Sequence, residues 1–365
     1  MTIKESVNKI LQELILQNLV DSELIKTVRY NCDVSDAHYW GYFSICNLLL
    51  RLRELFRVEK GLEPWESIKN DEILPWIEKK EQNWKVLENA ELIPIKINDR
   101  SYSPFDIEEI NKIIVDNGLV YGAGYALFLK PSFFIGLIQR CEKIDGYDVY
   151  FINKEFARDI FSSPGMSIKK NIFIRLVDIK NRLWENLDSW SNKNKATFQT
   201  ALSEIGNLEE WRASFNKFKK IVEKYAKFVL YHEIAEQEES NIKWNEIIKN
   251  CNTSKTEHIL RGVNDFIADF SPKGPVSRSI IEQDRELLAL YILSQGVYKR
   301  RLLKVTLQQI EKALASDNWQ KIEEIRFNEF IRWKNLSEKI IEIFNTEGFE
   351  GVKKFTDKIF EGGMH

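Results

Sequence analysis

The chain has 365 residues, a length that allows two or three compact units. Its 53 Lys and Arg against 55 Asp and Glu give a formal charge of −2 and a pI near 6.2, which excludes a strongly basic nucleic-acid module and an acidic tail. With 44% hydrophobic and 30% charged residues, and only 16 Gly and 8 Pro, it calls for a packed core built from long helices and excludes a disordered chain.

Lys4, Glu5, Lys9 and Glu13 interrupt any apolar stretch near the start, so no secretory signal is expected. Ile3, Val7, Ile10 and Leu14 instead recur on one face of a first helix. Ser35 or Asp36 then reads as the N-cap of a second helix running to about Glu59. His38, Tyr42, Ile45, Leu49, Leu52 and Phe56 lie on its apolar stripe, and Gly61 stops it. Cys32, Cys46, Cys141 and Cys251 are far apart with no C-x-x-C pair, as expected of reduced thiols in a cytoplasmic chain.

Six of the eight prolines fall between Pro64 and Pro164, and five glycines between Gly118 and Gly146. Proline breaks helix interiors, so this stretch marks a less helical middle. Leu92–Ile97 alternates and runs into an Asn98-Asp99 turn, and Asp106 with Glu109 makes a capping box for a short helix ending near Gly118. Two extended runs follow, Tyr125–Leu129 and Phe133–Ile144. The second is joined through Asp145-Gly146 to Tyr147–Ile152 as a type I′ hairpin.

From Ser163-Pro164 the spacing returns to helix, with Ile168, Ile172, Leu176, Ile179, Leu183, Leu187 and Trp190 at steps of four and three. A helix over 215–239 follows, then one opened by Ser254 and Glu257 as a capping box, and then the rigid break Ser271-Pro272-Lys273-Gly274-Pro275. Leu287–Leu293 is apolar on every side, the mark of a helix buried all round. A last long helix carries Phe330, Trp333, Leu336, Ile340 and Phe344. The expected fold is therefore mainly α and bundle-like, with a small hairpin-containing α/β insertion and regions at 1–90, 91–161 and 162–365. No apolar run approaches the roughly 20 residues that cross a bilayer.

Four histidines make placement informative. His232 and Glu236 continue the buried stripe of the 215–239 helix with Ile221 and Tyr225, and an imidazole and a carboxylate one turn apart can ligate one metal ion. Tyr231-His232-Glu233-Ile234-Ala235-Glu236 is similar to the H-E-x-x-H motif of zinc peptidases, with Glu236 where the second His stands. It is also similar to the His-Asp element of helical metal-dependent phosphohydrolases, with Glu233 for Asp. Those enzymes draw further ligands from neighbouring helices, and His258 with Asp265 or Asp269 could supply them. The alternative is an internal hydrogen-bonded pair that merely satisfies two buried polar groups.

His258, Gly262, Asp265 and Asp269 share one helix line, which is either a solvated face or turns toward His232 with Gly262 permitting close approach. Arg278 is spaced to pair with Glu282, or it could hold a carboxylate or phosphate. The Lys299-Arg300-Arg301 run reads as a helix C-terminus or solvated face.

The Ala37-His38-Tyr39-Trp40 helix, the Tyr231–Glu236 segment and the Gly274-Pro275-Val276-Ser277-Arg278 turn together resemble an uncharacterised bacterial family with no assigned activity. Two functions follow as expectations. One is a hydrolase-like enzyme or sensor holding a divalent metal on His232, Glu236, His258 and Asp265, with Glu233 as base and Arg278 beside them. The other is a non-enzymatic scaffold whose aromatic surface docks a protein partner, since 12% of residues are aromatic and no catalytic motif is complete.

Overall fold

The computed structural model describes residues 22–161, 163–193, 195–201 and 215–362. The helix expected around Ile3–Leu14 lies outside them.

The first described helix, α1 (Glu23–Tyr39), is capped by Ser22, whose hydroxyl accepts from the Ile25 amide. Ser44 does the same for α2 (Ile45–Lys60) through the Asn47 amide. Ser35 and Asp36 are therefore not caps but lie buried inside α1, with Asp36 paired to Lys130 at 3.0 Å. Local spacing could not separate a capping Asp from one whose counter-ion arrives from far along the chain. His38 is likewise exposed, not on a core stripe. Gly61 ends α2 with φ 65°, as expected. Ala37, Leu52, Leu55, Ile160 and Trp84 of α3 (Asn70–Leu87) form one buried apolar cluster.

Strands β1 (Ile95–Ile97) and β2 (Arg100–Tyr102) make a hairpin whose turn is Asn98-Asp99, both at positive φ. Helix α4 (Ile107–Ile114) follows Asp106, but that carboxylate accepts from the Ser103 amide and closes no capping box. The next strand is β3 (Leu119–Tyr125), and Leu127–Leu129 is a 3-10 turn, so the extended run expected at Tyr125–Leu129 sits one element too late. Strands β4 (Pro131–Ile144) and β5 (Tyr147–Arg158) meet at Asp145-Gly146, φ 49° and 88°, as the turn chemistry requires.

Residues 164–175 are not helical. They form β6 (Gly165–Ile168) and β7 (Asn171–Arg175), antiparallel, with Lys169 at φ 54° in the turn. Ile168, Ile172 and Leu176 at steps of four mimic a helix. Ile172 and Ile174 equally satisfy the two-residue period of a strand, and burial in a sheet selects the second. The five-stranded sheet runs in the order β3-β4-β5-β7-β6. The chain is mainly helical, but this sheet makes the α/β part more than a small insertion.

Helices α5 (Leu176–Lys193), α6 (Lys195–Ala201), α7 (Phe215–Glu238), α8 (Ile242–Lys249) and α9 (Ser254–Phe270) follow. Thr253, not Ser254, occupies the N-cap of α9, and the Glu257 carboxylate accepts from Arg261 at 2.9 Å instead of closing a capping box. Past the Ser271–Pro275 break come α10 (Pro275–Ile281), α11 (Arg285–Ser294), α12 (Val297–Leu302), α13 (Lys304–Ala315) and α14 (Trp319–Gly362), the last interrupted at Gly348. Leu287–Leu293 of α11 is buried throughout. Among the described residues no helix is long and apolar enough to cross a membrane.

The chain divides into two compact units. One takes the chain up to Glu142, Tyr150–Ser163 and Arg175–Asn181. The other takes Lys143–Val149, Pro164–Ile174 and Arg182 onward. The first holds a buried knot in which the Arg175 guanidinium grips Glu155 at 2.5 and 2.9 Å while Arg158 binds Asp178. It also holds Lys130 between Asp36 and Asp159, each at 3.0 Å. Pairing is what allows such charges inside a protein. The second unit packs α7 against β6, α9, α10 and α11.

Candidate functional site

Helix α7 carries His232, Glu233 and Glu236 in a part of its length where Ile234 and Ala235 are fully buried. One ligand atom from each of the three lies within 4.8 Å of the others. Helix α9 faces them with Asp265 and Asp269. The His232 Nδ1 is 2.7 Å from Asp269 Oδ1, and its Nε2 is 3.9 Å from Asp265 Oδ1. Asp265 Oδ2 in turn meets Lys299 Nζ of α12 at 2.5 Å.

Each remaining carboxylate is held from outside the cluster. Glu236 Oε1 accepts from Asn264 Nδ2 at 3.0 Å. Glu233 is hydrogen-bonded to Ser167 of β6, whose hydroxyl also accepts from Gln237 at 3.1 Å. A side chain at Gly165 would strike Glu233 and Val229, so the absence of a Cβ there is what lets β6 close over this helix.

Two of the acids lie deepest: Glu233 is 6% exposed and the Asp269 side chain 2%, while the Lys299 side chain is 33% exposed. Burial alone would strip the proton from His232, but the charge and hydrogen bond of Asp269, joined by Asp265 and Glu236, raise its pKa to about 10. Burial, then the charge of Glu236, lifts Glu233 to about 8, and burial raises Glu236 as well. Burial acts against the Lys299 ammonium, but Asp265 more than restores it, and its pKa is raised.

Under the site lies Tyr291 of α11, its ring 6.1 Å from Phe228 and 5.9 Å from Phe270, the neighbours in chain of His232 and Asp269 respectively by one turn and one residue. Its hydroxyl is fully buried with no hydrogen-bond partner. Burial and the charge of Asp269 keep it protonated.

Of the residues the sequence singled out, the structure therefore gathers His232, Glu233, Glu236, Asp265 and Asp269. It does not gather His258 or Arg278. His258 lies two turns of α9 from Asp265, its Nδ1 2.6 Å from the Ser254 carbonyl and its ring beside Tyr298. Arg278 bonds Asp145 at 2.7 Å and lies over the Tyr231 ring, while Glu282 accepts from the Tyr231 hydroxyl in place of Arg278. Gly262 makes no close helix approach, since a Cβ there would meet only Phe266 at 4.0 Å. Lys299, Ser167, Asn264 and Tyr291 were not legible. Lys299 sits in a basic run indistinguishable from a solvated face, and the others are isolated polar residues without a spacing signal.

The N-terminal domain of a family of unknown function (DUF6866) matches residues 23–175, and the C-terminal domain of the same family matches residues 180–362. The chain belongs to this family. No curated protein and no solved structure matches it.

Proposed function

We propose that this site in the second unit binds one divalent metal ion and serves hydrolytic chemistry. His232 Nε2, Glu236 and Asp265 are its ligands in this reading. The observation that carries it is the orientation of His232. A carboxylate takes Nδ1 and leaves Nε2 turned toward Asp265 at 3.9 Å, the arrangement by which proteins fix a ligating histidine, with Glu233 and Glu236 close by. A purely internal pair would need one carboxylate, whereas four carboxylates converge on this imidazole and one ammonium.

One nitrogen and several carboxylate oxygens suit a borderline-to-hard ion such as Mn²⁺ or Fe²⁺ better than a thiophilic one. Such an ion supplies Lewis acidity and acidifies bound water. Glu233, next to His232 and within reach of Glu236 on the same helix face, is the residue placed to accept a proton there.

The test is elemental analysis and Mn²⁺ titration of full-length protein purified without chelator. One equivalent is expected. His232→Ala should abolish binding, and Asp269→Asn should weaken it by about 10–100-fold because Nδ1 loses its anchor. Less than about a tenth of an equivalent, with no saturable titration, would remove the reading.

A second reading, docking of a protein partner, draws support from the first unit, where Trp40, Tyr42, Ile45, Leu49 and Leu50 are all exposed within eleven residues. A second copy of the chain is the simplest partner to test. Sedimentation that finds only monomer at about 100 μM, with Ile45→Glu making no difference, would sink self-association.

A further inference from the structure

We infer that Asp265 bridges a single metal ion and the Lys299 ammonium, so that Lys299 stands where the second ion of a two-metal centre would. The inference rests on the metal reading above and concerns how that site is limited and charged.

Two-metal sites hold their ions about 3.5–4 Å apart and commonly share a carboxylate. Asp265 has the attitude of a shared carboxylate. Its Oδ1 faces His232 Nε2 at 3.9 Å and its Oδ2 faces Lys299 Nζ at 2.5 Å. Among the described residues, the other carboxylates of the cluster are each partly engaged elsewhere. Asp269 is committed to Nδ1, Glu236 Oε1 to Asn264, and Glu233 to Ser167. An ammonium also has three donors, only one of which Asp265 Oδ2 requires.

The experiment is Mn²⁺ binding to the full chain, read by electron paramagnetic resonance for affinity and by elemental analysis for stoichiometry. Wild type should saturate at one ion. Lys299→Met should bind Mn²⁺ about tenfold more tightly, since the shared carboxylate no longer divides its charge, and Lys299→Arg should stay within about threefold of wild type. Asp265→Asn should bind about tenfold or more weakly. Opposite signs from the two halves of one ion pair cannot come from unfolding, and thermal melts of both variants check this directly. Saturation at two ions, or Lys299→Met binding that is unchanged or weaker, overturns the inference while leaving the metal reading intact. Absence of Mn²⁺ binding in wild type and every variant removes both.

Discussion

Glu233 shows how one side chain can make the stability of the second unit depend on pH. Its folded pKa, about 8, stands above the ordinary 4.5, so the folded state keeps a proton that the unfolded state releases. The stabilising term is complete below pH 4.5 and is lost as pH rises through 8. In chelator-treated protein, urea unfolding at pH 5 and pH 8.5 should show wild type losing more stability than Glu233→Gln, which carries no titrating proton. Equal losses would show that Glu233 is not a buried acid. The residue scale is also where sequence reading reached furthest into the site. His232 and Glu236 were legible because polar groups on an apolar stripe demand partners. Asp265 and Asp269 were legible only as a stripe with two possible directions. The anchoring of Nδ1 by Asp269 depends on which way α9 is turned, and no spacing within α9 encodes that.

At the scale of elements, two glycines in the second unit make opposite predictions. Gly262, inside α9, leaves room for a Cβ in ordinary contact with Phe266, so Gly262→Ala should stabilise by roughly 0.5–1 kcal/mol through reduced backbone entropy. Gly165, at the start of β6, lies against Glu233 and Val229, and Gly165→Ala should destabilise by about 1–3 kcal/mol through overpacking. Thermal melts of the pair check both signs, and a destabilised Gly262→Ala would restore the close-approach role that α9 could have had. Elements were legible where the cue is local. Gly61, Asn98-Asp99 and Asp145-Gly146 mark their turns by the backbone angles those residues tolerate. The β6–β7 hairpin was not legible, because the isoleucines of 164–175 fit a helical period and a strand period alike, and the sheet that chooses between them lies outside the segment.

For the molecule as a whole, the interleaving of the two units matters more than either boundary. Residues 164–174 belong to the second unit although the C-terminal family domain begins its match at 180. A fragment of 180–362 therefore lacks β6, with Gly165 and Ser167, which cover Glu233 and Val229. We expect that fragment to unfold without a cooperative transition and to bind Mn²⁺ more weakly than the full chain, whereas a fragment from 164 onward should recover part of both. Calorimetry on the two fragments distinguishes them, and equal cooperativity would mean that β6 is dispensable.

Local order along the chain is enough to give the helical character, the turns, the all-buried α11 and the polar pair on α7. Each follows from periodicity, backbone tolerance or the cost of burying a polar group, and all three act within a few residues. Folding in three dimensions is what makes Asp36 a buried ion partner and 164–175 a hairpin, and what sets Asp269 against His232 and Lys299 against Asp265 while His258 and Arg278 pair elsewhere. Those outcomes depend on charges and surfaces brought together from distant positions. The Coulomb and packing energies that select them are functions of distance in space, on which separation along the chain has no bearing.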